Sequence, residues 1–195
     1  MDISTDRVKE LRDKTGISIM QCRKALEEAG GDMEKAVILL QKSSKTIASK
    51  KLDRNLGSGT VAAYIHGAGR VGAMVELFCE TDFVAKNEDF KKLAYEIAMH
   101  VAATNPQFLK MEDISAEARE KAASAFTHEL KDKPEAQRAK IMEGKLKAYF
   151  SEQVLLDQPF IKNQDITVAA LIEGAIQKFG ERTEIGRFTR FSIGS

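Results

Sequence analysis

The cysteines and histidines of this sequence are the side chains that could carry nucleophilic or metal chemistry, and their spacing argues against both. Catalysis by a thiolate would need Cys79 and a histidine within hydrogen-bond reach of each other. If residues 61–65 and 71–78 form a β-hairpin, His66 lies at its tip and Cys79 lies near its open end. At about 3.3 Å per residue, the two side chains then stand roughly 30 Å apart. No cluster of histidine, cysteine and acidic residues has the spacing of a metal site.

A glycine-rich string could in principle bind a cofactor. Residues Gly67-Ala68-Gly69-Arg70-Val71-Gly72 have the formal pattern G-x-G-x-x-G. A dinucleotide site needs this string to open a helix inside a βαβ unit, whereas here a strand is predicted to follow it. The phosphate-binding pattern G-x-x-x-x-G-K-[ST] does not occur in the sequence. We therefore expect no cofactor and no nucleotide bound by the chain itself.

The segment Thr81-Asp82-Phe83-Val84-Ala85-Lys86-Asn87 is the stretch around which the other elements are arranged. Threonine, aspartate and asparagine are ordinary turn and N-cap residues, and Asn87 is the expected cap of the following helix. Phe83 is the exception. A large apolar ring in a short polar connection either folds back into the core or faces a partner. Residue types alone leave both possibilities open.

A strand and a helix are predicted to position this segment. Before it, apolar residues alternate along residues 71–78, which is typical of a β-strand. After it, apolar residues recur at helical spacing from residue 88 to about 104, where Asn105-Pro106 ends the helix. The segment is therefore expected to connect a strand to a helix at the rim of a core.

Residues 1–42 are predicted to form a bundle of three short helices. Gly16 is suited to the left-handed C-cap of the first helix, and Ser18 opens a capping box with Gln21. The second helix ends at Gly30-Gly31, and Asp32 is the expected N-cap of the third. Such an arrangement is similar to a ubiquitin-associated (UBA) domain, which is only marginally stable when it stands alone.

Residues 43–58 are predicted to be a basic linker. Lysine and arginine outnumber the single acid Asp53, and serine and glycine cluster at both ends. Transient helix is expected only at Thr46-Ile47-Ala48. The charge favours a solvated tether but leaves open a contact with RNA or an acidic surface. No aromatic residues are interleaved for base stacking, and the net charge of +1 gives no global attraction to nucleic acid.

Residues 59–195 are predicted to form an α+β core domain. Two alanine-rich helices at about 115–150, separated by Asp132-Lys133-Pro134, are expected to form an antiparallel helical hairpin. The final strand covers residues 182–193, where Phe188 breaks the alternation and indicates a β-bulge or a second buried face. The expected architecture is a three-stranded antiparallel sheet packed by helices on one side.

The sequence closely resembles the bacterial elongation factor Ts family over nearly its whole length. The most specific likeness is the segment Glu80-Thr81-Asp82-Phe83-Val84-Ala85-Lys86-Asn87, which is similar to the family's signature loop. A second likeness lies near the start of the chain, at Val8-Lys9-Glu10-Leu11-Arg12, Thr15-Gly16, Met20, Cys22, Lys24-Ala25-Leu26 and Gly31-Asp32. The resemblance implies a guanine nucleotide exchange factor for the GTPase elongation factor Tu, with no chemical active site.

Site residues follow from this resemblance by position. Thr81, Asp82, Phe83 and Val84 are implied to enter the partner beside its Mg²⁺ site and to disturb that ion. Partner contacts are further implied for Lys9, Arg12, Met20 and Arg23 in the bundle and for His66 and Arg70 at the hairpin tip. Each basic residue could equally serve only to solvate the surface. Met20 is the stronger candidate, because an apolar residue opposite the Cys22 stripe would be exposed.

Only one core unit is present in this sequence, whereas longer members of the family carry two. A homodimer is therefore expected, held by non-covalent contacts because neither cysteine lies on the last strand. The alternative to an exchange factor is a non-catalytic adaptor, in which a UBA-like module is tethered to an interaction domain. Faster release of labelled GDP from elongation factor Tu would separate the two.

Composition excludes several other classes. With 43% hydrophobic and 30% charged residues, the sequence is typical of a soluble globular protein. No apolar run approaches the roughly 20 residues that span a bilayer. The N-terminus lacks the basic flank and apolar region of a secretory signal, and two cysteines at apolar positions suit reduced thiols. A cytoplasmic protein with no membrane contact is expected.

Overall fold

The protein is described here by a computed structural model that covers residues 3–130 and 134–194. It is an α+β protein, as predicted. The predicted break at Asp132-Lys133 lies outside the described residues. Within the described ranges, no helix is both long enough and apolar enough to cross a bilayer.

The N-terminal part forms the three predicted helices, α1 (Thr5–Thr15), α2 (Ile19–Glu28) and α3 (Met33–Ser49). Their bounds come from local capping. Ser18 Oγ accepts a hydrogen bond from the Gln21 backbone, the Asp32 carboxylate accepts one from Lys35, and Gly16 ends α1 at a φ of +69°. The apolar faces meet in a small core, whose buried members are Ile3, Val8, Leu11, Ile17, Cys22, Ala25, Leu26, Ala36 and Leu40.

Helix α3 differs from the prediction, because it continues through the first part of the expected linker to Ser49. The reason is tertiary packing. Ser44 is buried and its Oγ contacts the Gln177 side chain, while Ile47 and Ala48 pack against the main core. These residues follow Leu40 at helical spacing, so one side of α3 stays apolar or buried although its outer side is basic. The division into domains at residues 42 and 58 stays a prediction.

The main sheet has three antiparallel strands, β1 (Ser58–His66), β2 (Val71–Cys79) and a last strand at Glu184–Ser192. The second strand lies in the middle, and the predicted antiparallel pairing is confirmed. The predicted bulge is also present. The last strand pairs Phe188 with Val75 and Ile185 with Leu77. It therefore has one more residue than β2 between these two pairs, which is a β-bulge.

Helices cover one face of this sheet. A single helical turn, α4 (Asp82–Ala85), precedes α5 (Glu88–Thr104), which packs across β1 and β2. Two further helices, α6 (Ala116–Thr127) and α7 (Glu135–Ser151), contact each other through the rings of Phe126 and Tyr149 and form the predicted hairpin.

Beyond the hairpin, the chain returns to the main core, in which Leu155 and Phe160 are buried. A small second sheet of β3 (Pro159–Phe160) and β4 (Asn163–Thr167) was not predicted. It leads into α8 (Val168–Phe179), which Thr167 caps, and then into the last strand, β5 (Glu184–Ser192).

The other face of the sheet is uncovered and largely apolar, although the Glu76–Arg187 ion pair also lies on it. Phe78 lies on the middle strand at one end of this face, beside Gly59 of β1 and Gly186 of β5, where an added Cβ would come within 3.1 and 2.2 Å of the Phe78 ring. The Phe78 ring thus occupies the space that side chains at Gly59 and Gly186 would need. The large apolar side chains exposed on this face and its margin are Val61, Ile65, Met74, Phe78, Phe191 and Ile193.

Candidate functional site

The signature segment is built as a capped turn between β2 and α5. Thr81 adopts an extended backbone, and its Oγ1 accepts a hydrogen bond from the Val84 backbone at 3.5 Å, which starts α4. The Asn87 side chain then accepts from Asp89 at 2.8 Å and starts α5, so the predicted cap is confirmed. The connection therefore carries its own capping residues, and its helical turn is the one element of it that was not predicted.

Phe83 is the outward-facing residue of this turn. Its side chain is 79% exposed, whereas Val84 is 5% exposed and belongs to the main core. The two readings of Phe83 left open by its residue type are thus separated: the ring does not fold back. Val84, which is predicted to belong to the segment that disturbs the partner's Mg²⁺ site, is buried and packs the turn against the main core. An exposed aromatic ring on an anchored turn is suited to insertion into an apolar cleft.

Asp82 lies beside Phe83 and is also exposed. Its carboxylate contacts the Lys86 Nζ at 2.6 Å. The hydrogen bond and positive charge of Lys86 hold the pKa of Asp82 below its usual value, so the carboxylate is ionised at neutral pH. Because both partners are exposed, this ion pair is weak and Asp82 can exchange Lys86 for another ligand.

Two glutamates hold the base of the turn. Glu181, in the connection between α8 and β5, accepts hydrogen bonds from the backbone nitrogens of Glu80 and Thr81 at 3.1 and 3.0 Å. Its second oxygen accepts from the Thr81 hydroxyl at 2.6 Å. In return, the Glu80 carboxylate accepts from the Arg182 backbone and from the Arg54 guanidinium. Glu181 could not be found from the sequence, because no local pattern relates it to a segment 100 residues earlier.

The predicted contact residues of the bundle are all on its surface. Lys9 and Arg12 lie exposed on α1, and Arg23 lies exposed on α2. Met20 is 83% exposed and follows Ile19, also exposed, in the first turn of α2. The expectation that Met20 faces solvent is confirmed, and with Ile19 it forms a small apolar patch.

His66 and Arg70 lie exposed at the tip of the β1–β2 hairpin. The His66 ring stacks on Tyr64, whose hydroxyl lies 3.1 Å from its Nδ1. The pairing of His66 with Val71 and of Ser58 with Cys79 places His66 and Cys79 at opposite ends of the hairpin. The structure therefore does not bring a cysteine and a histidine together here, in agreement with the sequence analysis.

Both cysteines are free and buried. Burial raises the pKa of Cys22 and of Cys79, and the negative charge of Glu181 raises that of Cys79 further. Neither thiol is therefore a ready nucleophile. Among residues 3–130 and 134–194, no group of three or more histidine, cysteine or acidic side chains is arranged to hold a metal ion.

Comparison with known proteins supports the resemblance stated above. The family model "Elongation factor TS" matches residues 33–195. Elongation factor Ts of Thermotoga petrophila is 47% identical over 194 residues, which cover 100% of this chain and 98% of that protein. The proteins of the same name from Desulforamulus reducens and Carboxydothermus hydrogenoformans are 46% and 47% identical and are covered over 90% and 89% of their lengths. With the signature turn in place and the likeness spanning both ends of the sequence, the chain belongs to the elongation factor Ts family.

Proposed function

We propose that the chain accelerates GDP release from elongation factor Tu by inserting the exposed ring of Phe83 beside the partner's Mg²⁺ site. Membership of the family makes the chain a guanine nucleotide exchange factor in translation elongation, with elongation factor Tu as its partner; the adaptor alternative is not favoured. The observation that carries the mechanism is the 79% exposure of Phe83 on a turn whose next residue is buried. Such a ring is held ready for a partner.

Exchange requires a difference in affinity. The factor must bind nucleotide-free elongation factor Tu better than the GDP-bound form, because equal affinity for both would shift nothing. A GTPase holds GDP through backbone amides around the phosphates and through Mg²⁺. Phe83 moves apolar neighbours of this site, and Asp82 disturbs the polar groups and waters that hold the ion. Thr81 and Val84 keep these two side chains in place.

The ring alone is insufficient. Weakening GDP binding a thousandfold takes about 4 kcal/mol of coupling free energy. Burying one phenylalanine contributes about 2–3 kcal/mol. The remainder comes from the exposed residues of the bundle, Lys9, Arg12, Met20 and Arg23, and from His66 and Arg70 at the hairpin tip. The surface of the N-terminal helices and the sheet therefore act together with the turn.

No bond is made or broken by the chain in this mechanism, so it acts without a chemical active site, cofactor or metal of its own. It acts in the cytoplasm, where translation supplies its partner, and binds neither membrane nor nucleic acid directly. The balance of 30 basic and 29 acidic residues supports this last point.

The experiment that tests the exchange function follows labelled GDP on elongation factor Tu. Release should be faster with the chain than without it, and the gain should saturate with its concentration. Excess GDP with Mg²⁺ should in turn weaken capture of elongation factor Tu by the immobilised chain, because linkage is reciprocal. Equal capture with and without GDP would contradict the proposal.

We further propose that two copies associate, with the uncovered face of the sheet as the contact. The face is largely apolar, and the large apolar side chains exposed there would be buried by a second copy about a two-fold axis. One copy would deliver Phe83 while the other offers its core to another domain of the same partner. Both cysteines are buried, so the contact is non-covalent.

Sedimentation equilibrium at micromolar concentration tests this assembly. The mass should be that of two chains, and Phe191→Glu should shift it to one, because the substitution places a charge on the face. Glu96→Ala, a change on the opposite side of the sheet in α5, is the control and should leave the dimer intact. A mass of one chain with full exchange activity would contradict the proposal.

A further inference from the structure

Strands β2 and β5 separate just before the turn that carries Phe83. Two carboxylates continue the contact between the two segments beyond the point where their backbone pairing ends. The last paired residues are Phe78 and Glu184. Beyond them, Glu80 reaches the Arg182 backbone nitrogen, and Glu181 reaches the backbone nitrogens of Glu80 and Thr81. Side chains thus take the place of the hydrogen bonds between strand backbones, and each segment contributes one carboxylate that binds the backbone of the other. We call these two residues the carboxylate pair.

Glu181 reaches further into the turn than a simple strand-end contact requires. Its Oε1 accepts a hydrogen bond from the Thr81 hydroxyl, which orients the Thr81 oxygen so that a lone pair can face the Val84 nitrogen. That second hydrogen bond is the N-cap of α4, which carries Phe83. A continuous set of hydrogen bonds therefore runs from Glu181 through Thr81 to the turn that presents the ring.

The other member of the carboxylate pair joins the same site to the chain that leaves α3. Burial would raise the pKa of Glu80, but hydrogen bonds from the Arg182 backbone and the Arg54 guanidinium outweigh it and hold that pKa below its usual value. Arg182 in turn donates to the Arg54 carbonyl at 2.7 Å, and Lys51 donates to the Gly180 carbonyl at 2.6 Å. The Glu80 carboxylate is thus matched by the Arg54 cation, and residues 51–54 are tied to residues 180–182 beside the turn.

We propose that Glu181 is a positioning residue for nucleotide exchange, which fixes the backbone of Thr81 so that Phe83 is presented outward before the partner arrives. This inference rests on the proposed function of the Phe83 turn. A ring that is already held in its binding orientation avoids the entropy cost of ordering the turn in the step after docking, when the turn enters the nucleotide site of a partner already bound through the N-terminal helices. Glu181 touches neither nucleotide nor magnesium in this assignment; it acts through Thr81 and Phe83.

The first test compares Glu181→Ala with Glu181→Gln and with the control Glu96→Ala. Glu96 is a carboxylate away from the turn, and it forms an ion pair with Lys162. Glu181→Ala should lower the rate of GDP release at saturating factor about tenfold, equivalent to about 1.4 kcal/mol. The half-saturating concentration should change little, because the bundle surface is intact. Glu181→Gln keeps an oxygen for the two backbone donors and should retain most of the rate, as should Glu96→Ala.

The second test asks whether Glu181 acts through the ring. In a Phe83→Ala background, Glu181→Ala should produce no further loss, since the turn no longer has a ring to present. A second tenfold loss in that background would overturn the assignment. So would an unchanged release rate in the single variant while the unmodified chain is active. An inactive unmodified chain would instead overturn the proposed function itself.

The third test needs no partner. Amide hydrogen exchange in the free protein should be at least tenfold faster at Thr81 in Glu181→Ala than in the unmodified chain, because the Thr81 nitrogen loses its acceptor. Unchanged protection at Thr81 would overturn the proposal. Thermal unfolding checks that the variants are folded. If Glu181→Ala does not fold, Glu181→Asp replaces it, since the shorter side chain keeps the charge but cannot span all three donors.

Discussion

Phe83 and Val84 are neighbours in the chain and point to opposite sides of it: the phenylalanine is 79% exposed and the valine is 5% exposed. One peptide unit thus separates a residue that contributes to the core from one that contributes nothing to it. This difference makes the two residues a matched pair for separating folding from function.

Phe83→Ala should strongly reduce stimulated GDP release and leave thermal stability unchanged, because no core contact is removed. Val84→Ala should instead destabilise the protein by about 2 kcal/mol, through the lost burial of two methyl groups and the cavity left behind. Stopped-flow GDP release and chemical denaturation measure the two effects. A loss of several kcal/mol in Phe83→Ala would contradict its assignment as partner-facing.

Removal of residues 1–42 should weaken binding to elongation factor Tu and leave a folded core. This deletion retains the end of α3, where Ser44, Ile47 and Ala48 contact the core. Calorimetric titration gives the affinity, and circular dichroism with thermal unfolding gives the state of the core.

Removal of residues 1–53 is the comparison, and it should lower the unfolding temperature because those contacts are lost as well. If the shorter deletion already unfolds the core, or if it binds as tightly as the full chain, the bundle is not a separate binding unit.

Stimulation of GDP release should depend on Mg²⁺. Removal of the ion with a chelator speeds unaided release, so the ratio of stimulated to unaided rates should shrink when the factor works partly by displacing the ion. Release rates measured across a series of free Mg²⁺ concentrations give this ratio. A constant ratio would indicate that Asp82 and Phe83 act away from the ion.

His100 should stay neutral in the folded protein at mildly acidic pH. It is fully buried, its Nε2 lies 2.8 Å from Gln158 Oε1, and its Nδ1 accepts a hydrogen bond from the Ile161 backbone. Burial lowers the pKa of His100, although the Gln158 hydrogen bond partly opposes this. In the unfolded chain the imidazole regains its ordinary pKa of about 6.5.

Below that pH the unfolded state therefore binds more protons than the folded state, and His100 reduces stability as pH falls, by at most about 1.4 kcal/mol per pH unit. Urea denaturation at several pH values measures the slope, and NMR of the imidazole reports its charge directly. Protonation of His100 in the folded protein near pH 6.5 would contradict this expectation.

Features set by neighbouring residues could be predicted from the sequence. Ser18, Asp32 and Asn87 each accept a hydrogen bond from a backbone nitrogen two or three residues later, so the signal and its effect lie within one turn. The bulge before Phe188 was likewise visible, because it shifts the alternation of the last strand. The exposed position of Met20 followed from its place opposite the buried Cys22.

Features set by distant contacts could not be predicted in this way. The basic stretch after Leu40 looks like a linker until Gln177 is placed against Ser44, 133 residues away in the chain. Strand β4, with the polar sequence Asn163-Gln164-Asp165-Ile166-Thr167, has no apolar alternation, and its partner β3 has two residues. Glu181 has no local pattern at all, because its role is defined by the residues that it meets in the fold.

The contact between Thr81 and Glu181 also sets an order of events during synthesis. The ribosome makes Thr81 a hundred residues before it makes Glu181, which holds it. A growing chain therefore carries the signature residues before it has their final arrangement, because early segments emerge and fold before later ones. The ring of Phe83 is held in place only after α8 has packed against the core and β5 has joined the sheet. Activity should consequently appear late, in finished chains, so that unfinished ones do not compete for the partner.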